Sequence, residues 1–248
     1  MQVEGAVVVV TGSAAGLGRA TARRLKACGA QVVEVDLHFP QGEATGRERA
    51  TADVTDADQV ETALRKAAHT FGRVDAVVHC AGVAAGFRLI DERGPADPAA
   101  FQRVVDVNLV GTFNVARAAA LVMSQNPAGE FGRGVVVLTA SVAAFEGQRG
   151  QTAYAATKAG VVGMTLPIAR DLADYGIRCV TIAPGAFETA LTTDLTPWLQ
   201  DKLVSYTTFP RRLGKPEEFA GLVHAVIEND MLNAEVIRLD AGTRLPSL

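Results

Sequence analysis

The sequence predicts an α/β fold in which a doubly wound parallel sheet is flanked by helices. Short β-branched runs such as Gly134–Thr139 are apolar throughout, as expected of strands buried on both faces. These runs alternate with segments of helical composition, without a linker-like stretch or an internal repeat. At 248 residues and 48% hydrophobic content the chain can bury a large core, so we expect a single domain over residues 1–248.

The alternation predicts the elements in order. Strands are expected at residues 6–10, 31–36, 74–79, 134–139, 178–182 and 235–238. Helices are expected at residues 19–28, 56–71, 99–125, 151–175 and 216–228. The Thr-rich segment 186–210 follows a break at Pro184-Gly185 and is expected to be irregular and to cover the substrate.

A glycine-rich turn joins the first strand to the first helix. Gly12, Gly16 and Gly18 follow the spacing Gly-x-x-x-Gly-x-Gly. Such a turn lets the main chain approach a pyrophosphate at the helix N-terminus, where unpaired N–H groups point outward. The strand–turn–helix context favours a dinucleotide site over ordinary turn glycines, and we expect Ser13 and Leu17 to belong to it.

The second predicted strand, Gln31–Asp36, ends in a carboxylate. An acid at this position accepts hydrogen bonds from the adenosine ribose and repels the 2′-phosphate of NADP. The nearest basic candidates for a phosphate contact, His38 and Arg19, are weak ones. The predicted cofactor is therefore NAD.

Tyr154 and Lys158 lie four residues apart in an Ala-rich stretch, and Ser141 precedes the tyrosine by thirteen residues. Positions i and i+4 share one face of a helix, so the Lys158 ammonium is expected close to the phenol, where it favours the phenolate. Lowering the pKa of a tyrosine from about 10 by about three units takes about 4 kcal/mol, which the ammonium and a bound cationic cofactor are expected to supply. A lone pair with this spacing is more often an ordinary half-exposed helix face, but the upstream dinucleotide motif favours catalysis.

Charge and composition argue against several other classes of protein. A net charge of −3 and a pI of about 5.8 leave no electrostatic footprint for nucleic acid. The three cysteines have neither metal-ligand spacing nor an even count, which predicts buried thiols, no metal site and a cytoplasmic location. No signal pattern and no apolar run of transmembrane length are expected, and hence no membrane association.

Together these motifs resemble the short-chain dehydrogenase/reductase family over the whole chain. The matching elements are Thr11-Gly-x-x-x-Gly-x-Gly18, Asp53-Val54, Cys80-Ala-Gly82, Asp106-Val-Asn108, Ser141, Tyr154-x-x-x-Lys158 and Pro184-Gly185. Stretches at 106–114, 140–148, 164–172 and 235–240 further resemble its NAD-dependent 3-hydroxyacyl-CoA dehydrogenases of type II, which also oxidise hydroxysteroids. The resemblance implies a Rossmann fold and hydride transfer from the 3-hydroxyl carbon of a 3-hydroxyacyl-CoA to NAD.

The same resemblance implies roles for individual residues. Tyr154 matches the proton-transfer residue, Lys158 the group that holds the nicotinamide ribose, and Ser141 the hydroxyl that orients the substrate oxygen. Asn108 matches the residue that orders a relay water near the lysine. The implied cofactor contacts are Gly12, Ser13, Gly16, Leu17, Gly18, Asp36, Asp53, Val54, Ala81, Gly82, Tyr154, Lys158, Pro184, Gly185, Phe187 and Thr189. The implied substrate contacts are Ser141, Gln148, Gln151 and Tyr154.

Two features depart from the family pattern. His79 stands where asparagine is usual, and we expect it to be either a core histidine bonded to the backbone or a changed brace for its strand. The loop at residues 84–99 is short and different, so the mouth of the substrate site is not predicted in detail.

The helices at 99–125 and 151–175 carry apolar residues around much of their circumference. These residues are Val104, Val107, Leu109, Val110 and Val115, and Val161, Val162, Met164, Leu166 and Ile168. One side of each helix can pack on the sheet, but the other needs a partner because large exposed apolar patches are uncommon in monomers. The resemblance implies that these helices form a dimer interface within a homotetramer of twofold symmetry.

Two other functions stay open. A 3-oxoacyl-carrier-protein reductase shares the scaffold but normally uses NADPH, which Asp36 disfavours. A dinucleotide-binding scaffold with little catalysis is disfavoured by the intact Asn108, Ser141, Tyr154 and Lys158.

Overall fold

The computed structural model describes residues 1–39, 48–130, 132–189, 192 and 195–246. Its central sheet has seven parallel strands: β1 (Val7–Thr11), β2 (Gln31–Asp36), β3 (Arg49–Thr51), β4 (Ala76–His79), β7 (Gly134–Thr139), β8 (Ile177–Pro184) and β9 (Val236–Leu239). The order across the sheet is β3-β2-β1-β4-β7-β8-β9, so the direction of winding reverses between β1 and β4. Ligands of such sheets bind at this reversal, outside the carboxyl ends of the strands.

Helices cover both faces of the sheet, which confirms the predicted doubly wound fold. In chain order they are α1 (Gly16–Ala27), α2 (Ala57–Phe71), α3 (Pro98–Val105), α4 (Gly111–Met123), α5 (Thr152–Leu172), α6 (Pro197–Ser205) and α7 (Pro216–Glu228). Helices α1 and α7 pack together over one core, whereas α2, α4 and α5 cover the other.

Burial on both faces explains why the strands read as continuous apolar runs. All five residues of β1 are buried: Val7 and Val9 enter one core, and Val8 and Val10 enter the other. Burying each valine contributes roughly 1.5–3 kcal/mol, so an apolar side chain is favoured at all four valine positions of the strand. The β-branched shape also suits the pleated surface.

Several short elements were not predicted from the sequence. The edge strand β3 and the hairpin of β5 (Ile90–Asp91) and β6 (Gly94–Pro95) are very short. The segment 186–210, expected to be irregular, contains α6, whose first turn is capped by the Thr196 hydroxyl accepting from Leu199 N at 3.4 Å. A threonine N-cap followed by proline is a helix-start signal, so this expectation was wrong over Pro197–Ser205. Residues 190, 191, 193 and 194 of the segment lie outside the described residues.

The helix predicted at 99–125 is a continuous helical stretch, Pro98–Met123, with a π-helical turn in its middle. By length and composition this stretch could cross a membrane, and half of its most apolar window is buried inside the protein. A buried core helix of a soluble protein meets the same criterion, so the expectation that no segment crosses a membrane stays a prediction.

Candidate active site

The glycine-rich turn follows β1 at the reversal point of the sheet. Gly12 has a φ of +66°, and a Cβ there would lie 2.6 Å from Ala81 N. A Cβ on Gly18 would lie 2.1 Å from Gly12 O, within the start of α1. Because no side chain fits at either position, the turn presents bare main chain that a ligand can approach closely.

The N-terminus of α1 is suited to bind an anion. Its N-cap, Ala15, provides no side-chain hydrogen bond, and the first turn contains no acidic residue. The first N–H groups of a helix have no intrahelical partner and carry partial positive charge. A Cβ on Gly16 would lie 3.3 Å from Thr189 Cγ2, so the segment after β8 borders the turn. This cradle fits the pyrophosphate of a dinucleotide.

Asp36 lies at the rim of the cradle. Its Oδ2 accepts a hydrogen bond from Ala14 N at 2.9 Å, and its Oδ1 accepts from Leu37 N at 2.7 Å. Ser13 also joins the turn to β2, because its hydroxyl donates to Val35 O at 3.2 Å. The Asp36 carboxylate is thus fixed beside the turn. The adenosine ribose is predicted to bind at this point.

Asp53 and Val54, the predicted adenine contacts, are held by α4. Val54 is buried, its carbonyl accepts from Asn114 Nδ2 at 3.0 Å, and a Cβ on Gly111 would lie 2.8 Å from Val54 Cγ2. The Asp53 carboxylate accepts from both the main chain and the hydroxyl of Thr55. Sequence reasoning assigned no role to Asn114, although an amide on a buried helix face indicates such a clamp.

Ser141, Tyr154 and Lys158 come together above the carboxyl end of β7. Ser141 accepts from Ala143 N at 3.1 Å and shares a side-chain hydrogen bond with Tyr154. Lys158 Nζ donates to Thr139 O at 2.8 Å and lies 5.8 Å from the centroid of the Tyr154 ring. The structure therefore assembles the three side chains that the sequence spacing grouped.

Burial is the largest cause of the pKa shifts of Tyr154 and Lys158. Burial raises the pKa of Tyr154, and the hydrogen bond with Ser141 opposes that rise. Burial also lowers the pKa of Lys158 to about 8. Lys158 is not among the groups that shift the pKa of the phenol in this structure, so the lowering expected from their spacing is not seen without a bound cofactor.

Replacing Lys158 with methionine should stabilise the protein at neutral pH while removing function. The folded-state pKa of about 8 lies below the ordinary value of 10.5, so the unfolded state binds more protons between those values. Wild-type stability therefore rises with pH across this window. The gain from methionine should be largest below pH 8, at most about 3 kcal/mol, and should fade toward pH 10.5. Urea unfolding of both proteins across this range measures it, and a pH-independent difference would contradict the reasoning.

Asn108 lies in a single π-helical turn, Asp106–Val110, between α3 and α4. The residue is fully buried, its Nδ2 donates to Val83 O, and its Oδ1 accepts from Val83 N, both at 2.8 Å. A Cβ on Gly82 would lie 3.1 Å from Asn108 Oδ1 and 3.5 Å from Lys158 Nζ. The widened turn thus clamps the main chain after β4 beside the lysine, as π-turns at functional sites often do. Its implied role in ordering a relay water stays a prediction.

His79 braces the two central strands at the crevice. Its side chain is buried, and Nδ1 shares a hydrogen bond of 2.8 Å with Thr11 Oγ1 at the end of β1. The expectation that His79 bonds to the backbone was wrong, because its partner is the side chain of Thr11. The other expectation, that His79 changes how its strand is braced, agrees with this bond between β4 and β1. Burial, with the nearby charge of Lys158, lowers the pKa of His79 to about 3, so the imidazole is neutral at physiological pH.

The predicted substrate contacts lie between Ser141 and α5. Gln151 Oε1 accepts from Gln148 N at 3.1 Å. The side-chain nitrogen of Gln148 is buried and has no hydrogen-bond partner among the described residues. A buried donor without a partner is costly, so this amide is available to a carbonyl oxygen of a ligand.

The segment after β8 is anchored at both ends. Gly185 N donates to Leu239 O at 2.9 Å, and Thr189 N donates to Thr192 Oγ1 at 3.1 Å. The Phe187 ring is buried and meets Phe219 edge-on, with centroids 6.5 Å apart. Because the ring packs into the core, only the main-chain atoms of Phe187 are available for the implied contact with the cofactor.

Comparisons with known proteins agree with this geometry. A family model described as short chain dehydrogenase matches residues 6–200. The 3-hydroxyacyl-CoA dehydrogenase type-2 of Homo sapiens is 53% identical over 98% of this chain and 97% of its own length. The crystal structure of 3-hydroxyacyl-CoA dehydrogenase type-2 from Mycobacterium avium superposes with a TM-score of 0.91 at 42% identity, covering 98% of each chain. A 3-oxoacyl-[acyl-carrier-protein] reductase of Thermotoga maritima is 32% identical over 98% of this chain and 99% of its own length.

Proposed function

Because the chain belongs to the short-chain dehydrogenase family, we propose that it oxidises the 3-hydroxyl group of a 3-hydroxyacyl-CoA with NAD as the oxidant. The observation that carries this proposal is the buried group of Ser141, Tyr154 and Lys158 beside the cradle of bare main chain at α1. High identity to a named 3-hydroxyacyl-CoA dehydrogenase over nearly the full length supports the substrate class.

The residues present fit a dinucleotide along the whole edge of the sheet. The cradle and the N-terminus of α1 would hold the pyrophosphate, and Asp36 the hydroxyls of the adenosine ribose. Asp53 and Val54 would contact the adenine, and Lys158 the nicotinamide ribose. The bound nicotinamide supplies a hydride acceptor and a positive charge.

The protein's own groups position and deprotonate the alcohol. Ser141 holds the substrate oxygen through its hydroxyl, and the buried amide of Gln148 is available to the thioester carbonyl. The Tyr154 phenolate takes the hydroxyl proton while the C3 hydrogen leaves with its electron pair, so the alcohol becomes a ketone. Lys158, fixed by Thr139 O, keeps positive charge near the phenolate. In the reverse direction the phenol returns the proton.

A substrate panel tests the proposal directly. Purified enzyme would be mixed with NAD and 3-hydroxyacyl-CoA thioesters of several chain lengths, and formation of reduced nicotinamide followed by absorbance. Hydroxysteroids would be assayed in parallel, and 3-oxoacyl-carrier protein with NADPH would test the reductase alternative. Oxidation of the thioesters is expected to have the highest kcat/KM. The absence of thioester oxidation would overturn the proposal.

The reductase alternative is disfavoured by one specific observation. Asp36 holds a fixed carboxylate where the 2′-phosphate of NADPH would sit, with its oxygens bound to Ala14 N and Leu37 N. Moving this charge away would break both bonds. The scaffold alternative predicts cofactor binding without turnover, so the same panel separates it from both enzymes.

We also propose that the protein assembles as a homotetramer through α4 and α5. Val104, Val115 and Val161 are buried in the core of the chain, but Phe113 is 53% exposed and Leu166 42% exposed. Light scattering should give roughly four times the chain mass of 26.0 kDa. Phe113→Arg should lower that mass, because it places a charge in the proposed contact. A wild-type mass near 26 kDa would exclude the assembly.

The cytoplasm is the proposed location. Cys28, Cys80 and Cys179 are all free thiols, and burial raises the pKa of both Cys80 and Cys179 to about 12. Thiols that stay unpaired are typical of proteins in a reducing compartment. Cell fractionation tests this, and recovery with membranes or in an exported fraction would contradict it.

A further inference from the structure

The segment between the catalytic serine and the helix that carries the tyrosine is an irregular loop. Residues 145–151 connect the 3₁₀ turn Val142–Ala144 to α5 and include Gln148. The loop packs closely on α5, since a Cβ on Gly147 would lie 2.7 Å from Ala155 Cβ. Loops that line binding sites act precisely only when a rigid scaffold positions them.

Arg238, on the last strand β9, reaches this loop from far along the chain. Its Nη1 donates to Glu146 Oε1 at 3.0 Å, and its Nε donates to Asp240 Oδ2 at 2.8 Å. Its Nη2 donates to Thr243 O at 3.0 Å, and the guanidinium lies 5.0 Å from the centroid of the Phe145 ring. One side chain therefore joins the sheet, the substrate loop and the chain that follows β9.

Glu146 completes the connection from the loop side. Its second carboxylate oxygen accepts from Leu245 N at 3.0 Å, and Arg244 Nε lies 3.5 Å from the first. The pair is partly shielded from water, because the Arg238 and Glu146 side chains are 24% and 23% exposed and Asp240 only 8%. A planar guanidinium held by several acceptors fixes geometry better than an exposed pair of long side chains. The hydrogen bond from Arg238 also holds the pKa of Glu146 below its ordinary value, so the carboxylate is charged at neutral pH.

We propose that Arg238 is a positioning residue for the substrate, which acts through Glu146 to hold residues 145–151 against α5, the helix that carries Tyr154. The proposal rests on the proposed function only for the identity of the substrate, since the loop joins the turn after Ser141 to the helix that carries Tyr154 whichever alcohol is oxidised. The contacts described for Arg238 are to residues 145–146 of the loop and to the chain after β9, and they include no residue of the dinucleotide cradle. Its loss should therefore weaken substrate binding and spare the cofactor.

The test compares Arg238→Gln, Glu146→Gln and the double variant. Arg238→Gln should raise the KM for the alcohol by about tenfold, with kcat within about threefold and the Kd for NAD within about twofold. Because both residues act through one contact, the KM of the double variant should be close to that of Arg238→Gln. The increases in KM of the two single variants should not multiply. An unchanged KM, or multiplied effects in the double variant, would overturn the proposal. If Arg238→Gln does not fold, Glu146→Gln tests the same contact without altering β9.

A second readout does not depend on activity. Amide hydrogen exchange in peptides covering residues 145–151 should speed up in Arg238→Gln and in Glu146→Gln. Arg65→Gln is the matched control, since it breaks an ion pair of 2.9 Å with Glu61 on α2, away from the loop. Exchange that rises equally in the control, or throughout the chain, would show a general loss of stability and contradict a positioning role.

The two proposals fail in different ways. If the wild type oxidises no 3-hydroxyacyl-CoA, the proposed function fails, while the KM comparison proceeds with whichever alcohol the panel identifies. If the wild type oxidises the thioester but Arg238→Gln has normal KM and normal exchange, only the positioning role fails.

Discussion

Replacing Tyr154 with phenylalanine should lower kcat by roughly a thousandfold or more and leave the affinity for NAD nearly intact. In the proposed mechanism the phenolic oxygen exchanges the proton, and Ser141, its side-chain hydrogen-bond partner, holds the substrate oxygen. The ring itself packs beside Lys158, with Nζ 5.8 Å from its centroid, and phenylalanine preserves that packing. Steady-state kinetics measures kcat, and quenching of protein fluorescence measures NAD binding.

Lys158→Ala is the informative comparison for this variant. It should lose activity and also bind NAD more weakly, because the lysine has a second implied role at the nicotinamide ribose. Retention of a tenth of wild-type turnover by Tyr154→Phe would sink the assignment of the proton-transfer residue. Unchanged NAD binding in Lys158→Ala would contradict the double role of the lysine.

The wild-type enzyme should prefer NAD over NADP by at least about a hundredfold in kcat/KM, a difference of about 2.7 kcal/mol. The Asp36 carboxylate is held beside the turn by Ala14 N and Leu37 N, so it cannot swing away from a 2′-phosphate without losing those bonds. Two negative charges brought together in a partly desolvated site repel strongly. Kinetics with each cofactor at a saturating alcohol concentration gives the ratio.

A paired variant tests the cause of this preference. Asp36→Ala combined with Leu37→Arg should shift the ratio toward NADP, because it removes the repelling charge and adds a partner for phosphate. Leu37→Arg alone is the matched control and should shift the ratio less. A wild-type ratio near one would mean that His38 or Arg19 compensates, which would favour the reductase reading.

Local sequence signals were enough to predict the fold and to group the principal site residues. Valine runs buried on both faces identified the central strands, and β2 and β7 have the predicted bounds. The glycines of the first turn and the four-residue spacing from Tyr154 to Lys158 are constraints within one short segment each. Short elements such as β3 and the β5–β6 hairpin escaped because two or three residues carry no periodic signal.

Only the tertiary structure determined the properties that arise between segments distant in sequence. Burial within the folded chain raises the pKa of Tyr154 and lowers that of Lys158, and no spacing rule includes that desolvation. The bond of His79 to Thr11 joins residues 68 positions apart, and the bond of Arg238 to Glu146 joins residues 92 apart. The sequence alone determined which chemical groups are present and which short-range patterns they follow. Packing determined their charge states and partners, because the free energy of a charge or hydrogen bond depends on everything that surrounds it in space.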